Sequence, residues 1–280
     1  MAWLHAKLSS SSTPETCSDE KIYRSKWLAA TREPLSPFQL AVAGGLIADR
    51  IEWIFIAGYQ AAIRAQFPLT DFDFHKASHW LSVAVSEYKA DKNIAGVSVT
   101  TSNTGTRLDG TKSWIASSDH VGALIVKVGR GEESCSFYVP ANKDGVTIAT
   151  QSNPRVMPAL SQGEARFEAV NVDQDTAIDR MLLKTFSAQE ALFIFVAATA
   201  SLRANTENAD AAFRQDAEGL LAKIENQLAA LDAGTTLDAS EIKPHSENFM
   251  ELYERYLKIP AIARLNGPAE KKLFSIYAGV

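Results

Sequence analysis

Apolar residues recur along this chain with three different periods, and the changes of period divide it. The first regime covers "FQLAVAGGLIADRIEWIFIAGYQAAIRAQFP" (38–68), which is apolar on most sides and carries charge only at Asp49, Arg50, Glu52 and Arg64. Ser36 followed by Pro37 is a helix start, an N-cap hydroxyl with proline at the first helical position. The segment therefore predicts one long helix or two stacked ones, ended at Pro68 and buried by neighbours. Gly44, Gly45 and Gly58 each cost such a helix about 1 kcal/mol relative to alanine, so they predict close helix–helix approach. Residues 9–20 are polar and of low complexity and are expected to be disordered.

From about residue 82 the period drops to two. The runs "SVAVS" (82–86), "GVSVTTS" (96–102), "TKSWIA" (111–116), "GALIVKV" (122–128), "SCSFYVP" (134–140), "GVTIAT" (145–150) and "ARFEAVNV" (165–172) read as short strands. Turns are predicted at Thr104-Gly105, Asp109-Gly110, Gly129-Arg130-Gly131 and Asp144-Gly145. Such spacing predicts an antiparallel barrel-like or sandwich domain. Beyond 175 the helical period returns. Phe213, Ala217, Leu220, Ile224, Leu228 and Leu231 share one face, with Gly234 as a C-cap. Phe249, Leu252, Tyr253, Tyr256 and Leu257 repeat the pattern, and Gly267-Pro268 precedes a last short helix. The expected fold class is α+β: a helical domain at 1–81, a β domain at 82–175 and a helical bundle at 176–280.

Composition narrows the function classes. A net charge of −5 gives no electrostatic support for a nucleic-acid partner. The longest apolar run, "ALFIFVAATA" (191–200), is too short to span a bilayer, so no membrane partner is expected. That run is apolar all round and needs partners on every side, which predicts a homodimer or larger assembly. The two cysteines, Cys17 and Cys135, are far apart and fit free thiols in a reducing compartment. No secretory signal is readable in "MAWLHAKL", and a cytoplasmic location is expected. His75 and His79 stand four apart near Asp71 and Asp73, but no third soft ligand accompanies them, and no metal site is predicted. No Gly-x-Ser-x-Gly elbow occurs. Lys112 is expected to be a solvated strand residue.

The stretch "RLDGTKSWIASSDHVGALIVKV" (107–128) resembles the middle domain of the acyl-CoA dehydrogenase family. The family's Leu-Asn-Gly-x-Lys-x-Trp-Ile-Thr is matched by Leu108, Asp109, Gly110, Thr111, Lys112, Ser113, Trp114, Ile115 and Ala116. "FYVPANKDGVTIAT" is similar to its Val-Pro…Gly-Val stretch and "ARFEAVNV" to its closing strand. "GYQAAIRAQFP" and "LKTFSAQEALFIFVAATA" resemble a short, divergent branch of the superfamily. The resemblance covers roughly 36–260 and is specific over 96–172.

That resemblance implies FAD, an acyl thioester substrate, and helices packed across a dimer. Trp114 would face the flavin, position 116 would supply a hydroxyl to the ring edge, and Ser86 and Glu87 would match the start of the family's Thr-Glu-Pro loop. This chain departs from the pattern. Position 116 is Ala, "SEYKADKN" (86–93) matches the loop only at its first two positions, and the Arg-x-x-Phe-Gly and Gln-x-x-Gly-Gly motifs that hold the FAD phosphates are missing. Losing one neutral and two charge-assisted hydrogen bonds costs roughly 3.5–7.5 kcal/mol, or about three to five powers of ten in dissociation constant. FAD is therefore expected to be held weakly or not at all. The family's base is a helical Glu, a carboxylate suited to proton removal when burial raises its pKa. Asp179 and Glu190 are the candidates here, the alternative being an acid favoured by the helix dipole. Two readings stay open: an oxidoreductase acting on the CH–CH bond of an acyl thioester with degenerate FAD motifs, or a non-catalytic, flavin-free relative that binds an acyl ligand or a protein partner.

Overall fold

A computed structural model describes residues 2–9, 13–67, 80–88, 94, 96–103, 105–173, 176–206, 210–229, 238–259 and 267–279. The chain divides into two compact units, a helical one made of Met1–Ala77 with Thr185–Val280, and a sheet unit, Ser78–Lys184. Helices from both ends of the sequence thus build one unit.

The N-terminal helices are α1 (Ala2–Ser9), α2 (Glu20–Ala30), α3 (Pro37–Leu46) and α4 (Ile51–Gln66). The apolar run at 38–68 is two helices, α3 and α4. Ser36 caps α3 in a full capping box with Gln39, satisfying two backbone donors that the helix start would leave open. Ser36→Ala is expected to lower unfolding stability by about 1 kcal/mol, read as a shifted urea midpoint. Helix α2 has its own start signal, Asp19 accepting from the Ile22 amide at 2.9 Å. Its Tyr23 and Trp27, one turn apart, are fully buried. Tyr23 stacks on Trp53 at 5.0 Å and donates to the Gly44 carbonyl.

The polar segment expected to be disordered is held over 13–19. Cys17 is fully buried, its amide donates to Asp49 and its carbonyl accepts from the Trp53 indole. A small thiol between polar neighbours gives little compositional sign of that anchorage.

The second half of the helical unit is α5 (Arg180–Asn205, of which Thr185 onward belongs here), α6 (Ala211–Ala229), α7 (Ala239–Tyr256) and α8 (Gly267–Ala278). By length and composition α5 could cross a membrane, yet residues 191–204 are buried within this one chain. Its neighbours are α3 and α4: a Cβ added at Gly58 of α4 would lie 2.5 Å from the Ile194 Cα, and one at Gly45 of α3 would strike the Ala197 backbone. The glycines are the points of close approach. The buried stretch of α5 is covered by residues of this same chain. Phe213, Ala217, Leu220 and Ile224 line the buried face of α6, and Phe249, Leu252, Tyr253 and Tyr256 that of α7. Leu231, Gly234, Pro68, His75 and His79 lie outside the described residues.

Among the described residues, the sheet unit has eight strands: β1 (Trp80–Ala84), β2 (Ser98–Ser102), β3 (Gly105–Ala116), β4 (Val121–Val128), β5 (Cys135–Pro140), β6 (Val146–Thr150), β7 (Gln162–Val172) and β8 (Ala177–Ile178). They form two open four-stranded sheets, β1-β4-β5-β8 and β2-β3-β7-β6. The barrel-like expectation is therefore corrected, since neither sheet closes on itself. The unit is not wholly antiparallel either, because β1 runs parallel to β4. A parallel partner that pairs Trp80 with Val121 leaves no trace in local alternation. The inner faces of both sheets contribute to one apolar cluster, including Leu108, Ile115, Leu124, Val139, Phe167 and Val170.

The pair Asp109-Gly110 is not a turn. It lies inside β3, where the register against β7 shifts between Leu108 and Gly110. Gly110 has φ +126° and sits against the Gly96 backbone, a position only glycine fills without strain. Asp109 accepts from the Ala169 amide at 2.7 Å, closing the bulge from the other strand.

Candidate functional site

A second register shift in β3 falls between Lys112 and Ile115. There β3 carries one residue more than β7, which re-aims side chains and breaks the ladder. The freed Ser113 amide donates to the Ser86 carbonyl at 2.9 Å. The bulge thus draws the segment after β1 onto β3 and brings Ser86 and Glu87 beside Lys112 and Trp114.

Lys112 is 1% exposed, against the expectation of a solvated strand residue. Its ammonium meets Glu87 Oε1 at 2.6 Å and the Val85 carbonyl at 3.4 Å. Glu87 also accepts from the Val97 amide at 3.2 Å. Burial lowers the Lys112 pKa, and the pull of Glu87 only partly offsets it, with Lys127 adding a like charge. For Glu87 burial works the other way, but the Lys112 hydrogen bond and charge, with the Val97 amide, outweigh it and hold the carboxyl below its usual range. The asymmetry follows from exposure, since the glutamate keeps about a quarter of its side chain in solvent (24%) and the lysine 2%. Desolvation falls on the cation.

Trp114 is half-buried. Its indole N–H donates to Gln162 Oε1 at 3.0 Å, and Gln162 in turn donates to the carbonyls of Val156 and Met157. Ala116 is fully buried and its amide donates to Ser82 Oγ at 3.1 Å. Ser117 beside it is also fully enclosed, with φ +55°.

The two acids stand apart. Asp179 is exposed and accepts from the Met181 amide at 2.8 Å, so it caps the start of α5. Glu190 belongs to the helical unit. Tyr277 of α8 donates to it at 2.9 Å, and burial pushes its carboxyl up to about 7, the Tyr277 bond opposing the rise.

No family model matches the sequence, and no curated protein matches it. Solved structures do match. Butyryl-CoA dehydrogenase from Megasphaera elsdenii superposes with TM-score 0.60 at 11% identity, over 85% of this chain and 78% of that one. The prolyl acyl carrier protein oxidase AnaB gives TM-score 0.60 at 11% identity, over 93% and 81%. An acyl-CoA dehydrogenase complexed with FAD from Bacillus anthracis gives TM-score 0.62 at 12% identity, over 93% of this chain and 59% of that one. This chain has the acyl-CoA dehydrogenase fold.

The residues that the resemblance assigns to the flavin have other partners within the sheet unit. Position 116 has no hydroxyl, its backbone donor is already given to Ser82, and the residue is closed off from solvent. The Trp114 indole N–H is engaged by Gln162 and the Glu87 carboxylate by Lys112. Residues 89–93, the rest of the loop motif, lie outside the described residues.

The sheet unit also holds a cleft that sequence reading did not anticipate. A cavity of about 340 Å³ opens between the β4–β5 turn and the start of α5, lined by Lys127, Glu132, Arg180, Met181, Leu183 and Lys184, with Gly131 and Ser134 at the turn. Arg180 donates to the Glu132 carbonyl at 2.7 Å, which fixes its guanidinium at the cleft wall. Three cations face one carboxylate beside two apolar side chains. The only sequence trace was Arg180 and Lys184 on one face of a helix start; Lys127 joins them from 53 residues upstream.

Proposed function

We propose that this chain binds an acyl thioester on a phosphate-bearing carrier and does so without tightly held FAD. The observation that carries the reading is the cleft of Lys127, Arg180 and Lys184 beside Met181 and Leu183. Arginine and lysine meet phosphate oxygens with charge-assisted bonds, while the two apolar side chains suit the uncharged arm of such a carrier. The engaged donors around Trp114 and Ala116 support the flavin-free half. Two of the fold neighbours are named for acyl thioesters, one of CoA and one of a carrier protein.

Calorimetric titration with CoA is expected to show binding. Lys127→Glu and Arg180→Glu are each expected to weaken it roughly tenfold or more, one charge-assisted contact being worth about 1.5–3 kcal/mol. FAD titrated into the same protein is expected to show no submicromolar affinity, and Ala116→Thr alone does not create it, because the phosphate anchor is the larger missing contribution. Silence toward CoA together with tight FAD uptake would overturn the reading.

One observation favours the oxidoreductase instead. Glu190, with its carboxyl at about 7, is poised to exchange a proton near neutrality, as removal of a thioester α-proton requires. Flavin absorbance in the purified protein would move the choice to that reading.

A further inference from the structure

Helix α8 is fastened at both ends by a carboxyl–phenol pair. In its first turn Glu270, fully buried, accepts from Tyr253 of α7 at 3.2 Å. In its last turn Tyr277 donates to Glu190 of α5 at 2.9 Å. Neither carboxyl forms an ion pair with a lysine, arginine or histidine among the described residues. The Glu270 surroundings are acidic or neutral: Glu52 of α4 faces it, and on α7 Tyr256 and Glu254 lie near the bonded Tyr253. The Glu190 side holds Tyr277 and, from α4, Tyr59. Among the described residues, the ion pair between α7 and α8, Lys271 with Glu254 at 3.3 Å, is exposed and weak. Glu270 Oε1 is buried with no hydrogen-bond partner.

We propose that α8 is a pH-gated strap, clamped on α5 and α7 while Glu190 and Glu270 are protonated and released as both acquire charge. A neutral carboxyl tolerates these positions, whereas an anion there has no counter-charge among the described residues and, at Glu270, a second acidic side chain, Glu52, beside it. Burial raises both groups to about 7 against the Tyr253 and Tyr277 hydrogen bonds, which pull the other way, and Glu52 adds to the rise at Glu270. The sign follows directly: a carboxyl that titrates higher when closed than when open favours the closed form at low pH. That preference fades between the ordinary value of 4.5 and about 7. Release would uncover the aromatic cluster of Phe249, Tyr253 and Phe274, whose rings sit 4.9–6.2 Å apart. The device concerns the helical unit and stands or falls independently of the acyl cleft.

Hydrogen exchange of the α8 amides in the full-length protein tests it, after correction for intrinsic rates. Between about pH 5.5 and pH 8.5 the α8 opening constant is expected to rise roughly thirtyfold for each carboxyl. Glu190→Gln with Glu270→Gln is expected to remove the dependence. If that pair does not fold, Glu190→Gln alone should cut the rise to roughly thirtyfold. An opening constant that is flat with pH in the unaltered protein, or a rise that persists in the glutamine variants, would overturn the proposal.

Discussion

Gly58→Val is expected to be among the most damaging single changes in the helical unit, lowering unfolding stability by about 3 kcal/mol or more. A Cβ at that position would sit 2.5 Å from the Ile194 Cα and 2.7 Å from its amide nitrogen. Those are backbone atoms in the middle of α5, so no rotamer change relieves the contact. Either the helices separate, opening a gap in a core that includes Phe193, Phe195 and Trp53, or α4 bends. Alanine would gain about 1 kcal/mol of helix propensity, and valine gives most of that back while adding two methyl groups to the collision. A domain of ordinary stability, about 5–15 kcal/mol, survives this with a clearly lower urea midpoint. Gly219→Ala is the matched control: it lies inside α6 with nothing within 4 Å of an added Cβ, so it should stabilise by about 0.5–1 kcal/mol. Equal midpoints for Gly58→Val and the parent would mean that the α4–α5 contact is not close-packed.

The difference between those two glycines was legible in the sequence only as a contrast of setting, Gly58 in a segment apolar on most sides and Gly219 in an amphipathic helix. What could be read there was local. The Ser36-Pro37 start, the Phe213 to Ile224 face and the alternating runs of β4, β5 and β7 each depend on residues within a few positions. Features set by distant partners were misread. Asp109-Gly110 looks like a hairpin turn, yet pairing with both β2 and β7 carries β3 on through it, the extra residue lying on β7. The parallel pairing of β1 with β4 has no local signature. Lys112 is buried because Glu87 reaches it from 25 residues away, and strand alternation alone cannot tell a paired lysine from a solvated one. The candidate site divides in the same way. Trp114 and Ala116 were legible through resemblance, whereas the cleft at Lys127 and Arg180 exists only once β4 and α5 meet.

The bulge that carries Trp114 rests on the Glu87–Lys112 pair, and the largest effect expected in the sheet unit follows from breaking it. Glu87→Ala is expected to cost about 3–5 kcal/mol, because it leaves a buried ammonium without its counter-charge. Among the described residues, only the Val85 carbonyl, at 3.4 Å, would remain hydrogen-bonded to the Lys112 ammonium. The cost belongs to the stranded charge rather than to the attraction itself. Glu87→Ala combined with Lys112→Met should therefore recover most of the loss, an apolar side chain of similar length filling the site. The pH dependence has a fixed sign. Glu87 titrates below its ordinary value of 4.5 in the folded chain, so its contribution is complete above that value and lost as pH falls through the folded pKa. The stability gap between the parent and Glu87→Ala should shrink correspondingly in acid. A local readout accompanies the global one: the Ser113 amide, bonded to the Ser86 carbonyl at 2.9 Å, should lose exchange protection in Glu87→Ala and regain it in the double variant. A Glu87→Ala protein with the parent's urea midpoint and a protected Ser113 amide would show that the ammonium finds another partner, and the pair could then no longer be what anchors the bulge.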